Sequence, residues 1–490
     1  MHAWCNKYEW MIFLVILVLV LRLPSFVMPH HYGDEEIYFV MGRAWSEGVP
    51  LYQAMFDHKP PLIYIMAGLA PTMFAFRGLL AIVMVIHTLF FAKLAEYFWQ
   101  KTRPTLQYLS TIAFVLLTSL PTLEGLTVNA ELLMMAPVTV AVVLLWKAKE
   151  GEWQKFALAG LLGGIGWLFK IPVIADMVAI VLYFFVYKKK TVSEGVRAIF
   201  SKAFLAYAIA FVTPLLATFV YYYLKGTGPD YLATVLTVNL GYVSSWSTST
   251  YTFNPFRSGL VVRGSVLAGY ALMLYLMRKY LDKNLVFAAL WLGFSLFGAL
   301  LSARPYPHYL QELMAPLALL IPFVFVAENV LTWIWIAVIV GIGILVQRQI
   351  KFWAYETVSV YKNYYEYVSK KIEWNEYLGR FDNAKRNYEI AKYLNERMSD
   401  SDQIYIWGTD PTIYNLTGRL PTGGKYIVSF HVRDLNKYDY VMENLEISKP
   451  KYIVILPGSG EFNELASKIS QQYVLAKTTD GAEIYILLDK

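Results

Sequence analysis

Residues 10–36 read WMIFLVILVLVLRLPSFVMPHHYGDEE, an almost wholly apolar run that ends in two histidines and three acidic residues. About twenty apolar residues suffice to cross a bilayer as a helix, so the run predicts a first membrane span over Trp10–Met28. Lys7 precedes the run and no small-residue cleavage site follows it, which is typical of an uncleaved signal anchor. The acidic loop then lies beside the membrane, where clustered charges indicate a functional site.

The composition of the whole chain agrees with a membrane protein. Of its 490 residues, 57% are hydrophobic and 16% are charged, and the mean hydropathy is +0.43. Soluble domains carry about a quarter charged residues. The net charge of +7 does not indicate nucleic-acid binding, because the basic residues fall in short clusters between apolar runs. Cys5 is the single cysteine, which excludes an internal disulfide. We therefore predict a polytopic α-helical membrane protein.

Apolar runs of spanning length recur along the first 346 residues. The eleven predicted spans are Trp10–Met28, Gly78–Phe98, Leu106–Leu120, Leu132–Trp146, Phe156–Phe169, Pro172–Tyr187, Ala203–Leu224, Ser258–Met277, Leu285–Leu301, Tyr309–Val326 and Val330–Val346. A further run, Pro61–Phe76, contains Pro71 and is interpreted as an interfacial helix, with a twelfth span as the alternative.

Charge predicts the orientation of these spans. Basic residues cluster in every second connection, most densely at Lys188, Lys189 and Lys190, and cytoplasmic loops are enriched in Lys and Arg. This pattern predicts a multi-pass protein of the plasma membrane with a cytoplasmic N-terminus. An odd number of spans places the C-terminal region outside the cytoplasm.

The composition changes after the last apolar run, which predicts two domains: a transmembrane domain over 1–347 and a small extracytoplasmic α/β domain over 348–490. Residues 351–400 are predicted to be helical. Four strands are predicted at Ile404–Trp407, Tyr426–Ser429, Tyr452–Leu456 and Ile484–Leu488, with a helix over Glu461–Gln472. Residues 225–257, which include the Ser/Thr-rich stretch Ser244–Thr252, predict an outer loop.

The first candidate site residues follow the first span. Asp34 and Glu35 are suited to general-base chemistry on a hydroxyl group, with solvated loop acids or a helix N-cap as the alternative. The run Asp57-His58-Lys59-Pro60-Pro61 comes next. Lys59 carries a compact charge suited to phosphate, with a basic membrane anchor as the alternative.

More polar residues occur at span ends predicted to face the same side. Asn129 and Glu131 open one span, where Glu131 is either a ligand-binding group or a carboxylate favoured by the helix dipole. Lys170 ends a glycine-rich span, and either binds phosphate or extends to the interface. Arg304 and His308 flank two prolines; Arg304 offers a planar donor set for phosphate, with an interfacial belt as the alternative. Arg77, at the start of the second span, either neutralises Asp34 or Glu35 or anchors its helix.

Several of these residues are of metal-ligating type, but none shows a compact ligand spacing such as two histidines four positions apart. The sequence therefore predicts that no metal is required and that turnover persists in chelator. The residues that could supply ligands are His30, His31, Asp34, His58, Glu131 and His308.

Taken together, these segments resemble the polyprenyl-phosphate-sugar-dependent glycosyltransferases of the GT-C fold. The nearest branch is the protein O-mannosyltransferase and lipid A aminoarabinose transferase group, in its prokaryotic form. The similar positions are Asp34-Glu35, the run Lys59-Pro60-Pro61-Leu62, Arg77, Glu131, Lys170, the group Arg304, His308, Tyr309 and Pro316, and the stretch from Trp407-Gly408 to Thr417-Gly418-Arg419. Each motif is short. The combination is specific because the motifs occur in the family's order and are all predicted to face the same side of the membrane. Asp57-His58 departs from the family, where a Glu often precedes the lysine.

The resemblance implies an enzyme of the cell envelope that moves a hexose or pentose from a polyprenyl-phosphate donor to a hydroxyl of a protein, lipid or glycan, with inversion. It implies catalysis by Asp34 and Glu35. It implies that the donor phosphate is bound by Lys59, Arg304, Lys170 and His58, and that acceptor or sugar is positioned by Glu131, Asn129, His308, Tyr309 and Arg77. The alternatives are a protein that binds or translocates lipid-linked sugars without chemistry, and an oligosaccharide transferase or glycan ligase.

Overall fold

The computed structural model describes residues 7–100, 103–149, 151–239 and 259–488, and Cys5 and most of the predicted outer loop lie outside these ranges. Helices predominate. Up to residue 239 the α-helices are Lys7–Val27, Gly33–Ser46, Leu62–Gly68, Met73–Trp99, Leu106–Ser119, Ala130–Trp146, Trp153–Trp167, Val173–Val181, Val192–Ile199, Lys202–Leu224 and Gly228–Leu232. From residue 259 they are Gly259–Met277, Lys283–Ala299, Met314–Leu320, Val330–Ile350, Thr357–Val368, Trp374–Leu378, Ala384–Asn395, Thr412–Thr417, Ser429–Asp434, Tyr438–Ser448 and Asn463–Gln472.

The chain divides into two compact units, each assembled from separate segments. The first unit comprises Met1–Leu23, Arg77–Tyr221 and Leu236–Thr357. The second unit comprises Pro24–Phe76, Tyr222–Val235 and Val358–Lys490, so it combines the acidic loop with the C-terminal residues. The predicted boundary between residues 347 and 348 stays a prediction.

Six helical segments among the described residues are long and apolar enough to cross a membrane: Tyr8–Val27, Met73–Trp99, Lys202–Leu224, Gly259–Met277, Pro307–Phe325 and Val330–Ile350. Shorter apolar helices cover most of the other predicted spans, at Leu106–Ser119, Ala130–Trp146, Val173–Tyr187 and Lys283–Ala299. The prediction of a multi-span helical protein is confirmed in this coarse form, whereas the count of eleven spans and the orientation stay predictions.

Glycine allows close packing of helix Trp153–Trp167 in the first unit. A Cβ atom at Gly160 would collide with the backbone of Tyr207, and one at Gly164 would collide with the backbone of Phe211. Both glycines therefore let helix Lys202–Leu224 approach to backbone distance. Leu168 follows this helix as its C-cap, with Lys170 two residues further on.

The second unit contains a four-stranded sheet: β1 (Ile404–Trp407), β2 (Tyr452–Ile455), β3 (Tyr473–Thr479) and β4 (Ala482–Leu487). The strand order is β1-β2-β4-β3; β1 and β2 are parallel, and the other pairs are antiparallel. Three predicted strands and the predicted helix before β3 are confirmed. β3 itself was not predicted, because its polar end, Lys477-Thr478-Thr479, obscures the strand pattern.

Two local predictions in this unit are wrong. Tyr426–Ser429 is not a strand, because the backbone here forms hydrogen bonds with loop residues. Phe56 N–H donates to the carbonyl of the adjacent Lys425, and Ser429 N–H donates to the Gly408 carbonyl. The helical stretch 351–400 is interrupted, because Lys370 and Asn383 adopt positive φ angles of 58° and 61° and separate three shorter helices.

A glycine crossing fixes the geometry of the acidic loop. Helix Gly33–Ser46 packs against helix Leu62–Gly68. A Cβ atom at Gly42 would lie 2.5 Å from the Gly68 nitrogen, and one at Gly68 would lie 2.6 Å from the Gly42 oxygen. Neither position can carry a side chain without separating the two helices.

The C-terminal residues of the second unit also bind helix Gly33–Ser46. The side-chain amide of Asn415 donates to the Glu36 carbonyl at 2.9 Å and to Glu36 Oε2 at 2.6 Å. His30 Nδ1 lies 3.0 Å from the same carboxylate. Asn415 begins the only Asn-Leu-Thr sequon of the chain, and here its buried amide has a structural use.

Candidate active site

Asp34 lies in the first turn of helix Gly33–Ser46, where a carboxylate is favoured by the helix dipole. Its Oδ2 atom accepts a hydrogen bond from the Tyr38 hydroxyl at 3.0 Å, because residues four apart share a helix face. The same oxygen lies 3.6 Å from Lys59 Nζ. The Asp34 side chain is 29% exposed, whereas Glu35 is fully buried. Asp34 is therefore the better placed of the two to exchange a proton with a molecule from solvent.

Lys59 lies between two carboxylates. Its Nζ atom is 3.6 Å from Asp34 Oδ2 and 3.7 Å from Asp57 Oδ2, and it also contacts the face of the Tyr38 ring at 4.8 Å. The Lys59 side chain is only 9% exposed. A buried ammonium of this kind is retained only with close anionic partners.

Two tyrosines fix the backbone of Lys59. The Tyr52 hydroxyl donates to the Lys59 carbonyl at 3.0 Å, and the Lys59 N–H donates to the Tyr64 hydroxyl at 3.1 Å. Tyr52 has a φ of 70°, which is uncommon for a bulky residue and indicates local strain. The ammonium position is thus set by buried structure and not by a flexible surface loop.

Asp57 is the most buried charge of this cluster, with 1% exposure. Its Oδ2 atom accepts from the Tyr64 hydroxyl at 2.7 Å. Its Oδ1 atom faces two imidazoles, with His58 Nδ1 at 3.1 Å and His431 Nε2 at 3.6 Å. Burial alone would raise the pKa of Asp57, but the charge of Lys59 and the adjacent His58 hold this pKa well below its usual range. Asp57 is therefore ionised at neutral pH.

His431 reaches this cluster from the short helix Ser429–Asp434. Phe56 packs edge-on against its ring, with centroids 5.1 Å apart. Neither ring nitrogen forms a hydrogen bond within the described part of the chain. Burial lowers the pKa of His431 to about 3, so the ring is neutral at physiological pH. One ligand-type atom each from Asp57, His58 and His431 lies within 4.8 Å of the other two, a set that could hold a metal ion.

The first unit contains a second charged cluster. His308 Nδ1 donates to Glu124 Oε2 at 2.5 Å, and His308 Nε2 lies 3.9 Å from Glu131 Oε1. Glu131 in turn pairs with the Lys170 ammonium, which lies 4.1 Å from the centre of the Tyr309 ring. His308 thus lies between Glu124 and Glu131, and Glu131 lies between His308 and Lys170.

The other predicted site residues of the first unit have these positions. Asn129 is fully buried, precedes helix Ala130–Trp146 and donates to the Glu124 carbonyl at 3.3 Å. Arg304 lies in the loop before the 3₁₀ turn Pro307–Leu313 and is half-buried. Arg77 is 2% exposed in helix Met73–Trp99.

Comparison with solved structures identifies the fold. ArnT from Cupriavidus metallidurans bound to undecaprenyl phosphate aligns with a TM-score of 0.59 and 12% identity over 98% of both chains. The apo state of the same protein aligns with a TM-score of 0.57 over the same shares. This chain has the ArnT fold. The resemblance to GT-C glycosyltransferases is therefore confirmed at the level of the fold. No family model and no curated protein matches the sequence.

Within the ArnT fold of this chain, the structure brings three of the predicted site residues, Asp34, His58 and Lys59, into one cluster of the second unit, and their predicted roles stay predictions. Glu131, Lys170, His308 and Tyr309 meet in the first unit, although the resemblance assigned Lys170 to the donor phosphate and the other three to the acceptor or sugar. Sequence reasoning missed His431, about 370 residues beyond Asp57, whose only signal is that the chain has just seven histidines.

Two buried acids of the first unit were also missed. Asp176 Oδ1 accepts from Trp291 Nε1 at 2.8 Å and from the Ser295 hydroxyl at 2.5 Å. Glu312 lies near Asp176 and, like it, is almost fully buried. Each acid lies singly in an apolar run, so no motif indicates that the two lie near each other.

Proposed function

We propose that this chain is an inverting GT-C glycosyltransferase that moves a sugar from a polyprenyl-phosphate donor to a hydroxyl acceptor. The observation that carries the proposal is the pairing of a partly exposed carboxylate, Asp34, with the buried ammonium of Lys59 at 3.6 Å. A base and a phosphate-binding cation are the two groups that such a transfer needs. The ArnT fold supports the donor class, since one ArnT structure holds undecaprenyl phosphate.

In the proposed reaction Asp34 removes the proton of the acceptor hydroxyl. The acceptor oxygen attacks the anomeric carbon from the face opposite the phosphate, and the bond from that carbon to the phosphate oxygen breaks. The electron pair stays on the polyprenyl phosphate, which gains one negative charge as it leaves. Lys59 stabilises this developing charge, and its buried, fixed backbone keeps the reorganisation small. One base and one displacement invert the anomeric configuration.

The roles predicted for Glu35, His58, Arg304, Lys170, Glu131, Asn129, His308, Tyr309 and Arg77 stay predictions from the sequence. So do the protein, lipid or glycan nature of the acceptor, the hexose or pentose nature of the sugar, and the predicted location in the plasma membrane.

The test is transfer by the purified chain in lipid vesicles. Mass spectrometry of the co-purified lipid first identifies the polyprenol and its sugar, and that lipid is then supplied with candidate hydroxyl acceptors. We expect the loss of lipid-linked sugar to match the gain of glycosylated product with inverted configuration. Movement of the donor across the vesicle membrane without product would instead establish a translocating protein. A product of retained configuration would contradict the single displacement.

A further inference from the structure

A short helix, Val192–Ile199, lies in the connection that leads from one apolar helix of the first unit to the membrane-span candidate Lys202–Leu224. Its first turn is capped reciprocally. The Thr191 hydroxyl accepts from the Glu194 N–H at 3.2 Å, and the Glu194 carboxylate accepts from the Lys190 N–H at 3.0 Å. The sequence therefore fixes where this helix begins, and the one acid of the helix is used in the cap.

One face of the short helix packs against the protein and a second face does not. Gly195 is buried, and a Cβ atom there would lie 3.3 Å from Val186 Cγ1. Val192, Val196 and Phe200 are four positions apart, so they share one face and form an apolar stripe. All three are exposed, and the ring of Phe200 is 84% exposed.

The position of this stripe indicates what covers it. Helix Lys202–Leu224 begins two residues after Phe200, and it exposes Leu205 and Ile209 as a lipid-facing span would. The stripe thus lies where a membrane span begins. A helix of this kind, apolar on one face and charged nearby, typically lies in the plane of the membrane interface.

Basic residues surround the stripe. Residues 188–202 and 278–283 together carry eight basic and two acidic side chains. One of these acids is Glu194 of the helix cap. The other is Asp282, which caps helix Lys283–Ala299 by accepting from the Asn284 N–H at 2.7 Å. Both acids therefore have a role in capping a helix, and the excess of positive charge is large.

Five of the basic residues form a cluster, namely Lys188, Lys189, Lys190, Arg278 and Lys283. The Arg278 guanidinium donates to the Lys190 carbonyl at 3.4 Å, which joins segments 88 residues apart along the chain. Partial burial, followed by the like charges of Lys189 and Lys283, lowers the pKa of Lys188. Cations held this close repel one another, and a bound anion reduces that repulsion.

The basic side chains also lie along aromatic rings. Lys188 Nζ is 4.7 Å from the centre of the Phe184 ring, and Lys202 Nζ is 4.4 Å from the centre of the Trp153 ring. Long basic side chains at a membrane interface bury their stems in this way and keep their charge at headgroup level.

We propose that the basic cluster and the apolar stripe together bind anionic phospholipids of the leaflet that they face, the phosphates on the cluster and the upper acyl chains on the stripe. The charge pattern of the sequence predicts that this side is cytoplasmic, and cytoplasmic leaflets are generally rich in anionic lipid. A soluble polyanion would satisfy the cations but would leave the stripe uncovered beside a membrane span. The inference does not depend on the proposed transferase function.

The lipid preference is measured on the full-length chain in neutral detergent, titrated with phosphatidylglycerol or phosphatidylcholine and observed by native mass spectrometry. We expect phosphatidylglycerol to bind at least tenfold more tightly at low salt, and this advantage to shrink as salt screens the charges. The triple variant Lys188→Gln/Lys190→Gln/Arg278→Gln should lose the advantage. Equal affinity of the intact chain for the two lipids overturns the proposal.

A second triple variant, Lys147→Gln/Lys149→Gln/Lys155→Gln, is the matched control. It removes the same charge from another basic loop of the first unit that is predicted to face the same side. We expect the control to keep the preference for phosphatidylglycerol. Equal losses in the two triple variants would show a general effect of net charge and would overturn the local site. Gel filtration and thermal denaturation check that both variants are folded.

Immersion of the stripe is measured in vesicles of phosphatidylcholine and phosphatidylglycerol. Single cysteines replace Val196 or Arg197 in a Cys5→Ser background and carry a fluorophore. The two positions are consecutive and exposed, and they point about 100° apart around the helix. A nitroxide on the upper acyl chain should quench the label at 196 several times more strongly than the label at 197, and iodide in water should do the reverse. Equal quenching at the two positions contradicts the proposal. So does binding of heparin by a chain whose label at 196 stays open to iodide, which would assign the cluster to a soluble partner.

Discussion

Asp34→Asn gives the sharpest test of the proposed chemistry, because it removes the base and leaves the surrounding structure in place. Asparagine has nearly the size of aspartate and still accepts the Tyr38 hydrogen bond seen at 3.0 Å. It cannot accept a proton at neutral pH. General-base catalysis contributes about 10²–10⁴-fold. We therefore expect the transfer rate to fall at least about a hundredfold, which corresponds to about 2.7 kcal/mol in the activation free energy.

The same substitution should have little effect on stability. Lys59 loses one carboxylate partner at 3.6 Å but keeps Asp57 at 3.7 Å, so no buried ammonium is left without an anion. The Asp34 side chain is 29% exposed, and ion pairs open to water contribute about 1 kcal/mol or less. The expected result is a large loss of transfer with an almost unchanged Tm and retained binding of polyprenyl phosphate.

Asp230→Asn is the matched control. Asp230 belongs to the second unit, is 34% exposed and lies 3.9 Å from the ammonium of Lys425, so it resembles Asp34 in exposure and in partner. Transfer is measured with saturating donor in vesicles, and Tm is measured in the same lipid. A near wild-type rate for Asp34→Asn would refute the assignment of the base. So would equal losses in Asp34→Asn and Asp230→Asn, or a defect of Asp34→Asn confined to donor binding.

The remaining predictions concern the Lys59 ammonium, the crossing of helices Gly33–Ser46 and Leu62–Gly68, and the orientation of the chain in the membrane. Lys59→Met should weaken binding of polyprenyl phosphate about tenfold or more, since hydrogen bonds to charged groups contribute about 1.5–3 kcal/mol; unchanged affinity in a direct binding assay would contradict it. Gly42→Ala should lower stability by about 1–3 kcal/mol, because the added Cβ would lie 2.5 Å from the Gly68 nitrogen. Gly33→Ala, which meets nothing within 4 Å, should be tolerated in the same thermal denaturation assay, and similar Tm values for both variants would count against the crossing. A cysteine introduced near Lys190 should be labelled only in permeabilised cells and one near Asp480 in intact cells, while the reverse pattern would overturn the predicted topology.

The sequence predicted those parts of the structure that depend on local patterns. Apolar runs predicted most of the long helices, and short runs rich in Tyr, Ile and Val predicted β1 and β2. Patterns of this kind report burial and propensity within a few positions of each residue. They failed at Tyr426–Ser429. There the backbone bonds to loops, with Phe56 N–H donating to the carbonyl of the adjacent Lys425 and Ser429 N–H donating to the Gly408 carbonyl, and a strand forms only where a neighbouring strand is available.

The candidate site shows the same limit more clearly. The adjacency of Asp57, His58 and Lys59 in sequence made this part of the cluster visible. The participation of His431 depends on packing between segments about 370 residues apart, which no spacing rule can reveal. The prediction that no metal is required rested on ligand spacing along the chain, and it stays a prediction.

The discontinuous second unit sets an order of events during synthesis. Asp57 leaves the ribosome about 370 residues before His431, and chains grow at about 5–20 residues per second, so the two are separated by about 20 to 75 seconds. During that interval the segment Pro24–Phe76 lacks the C-terminal residues against which it folds. Release of a chain truncated before residue 412 would leave Glu36 without Asn415 and Asp57 without His431. Quality-control proteases therefore have a long opportunity to recognise this segment, and premature termination should yield degraded protein instead of a stable, inactive membrane fragment.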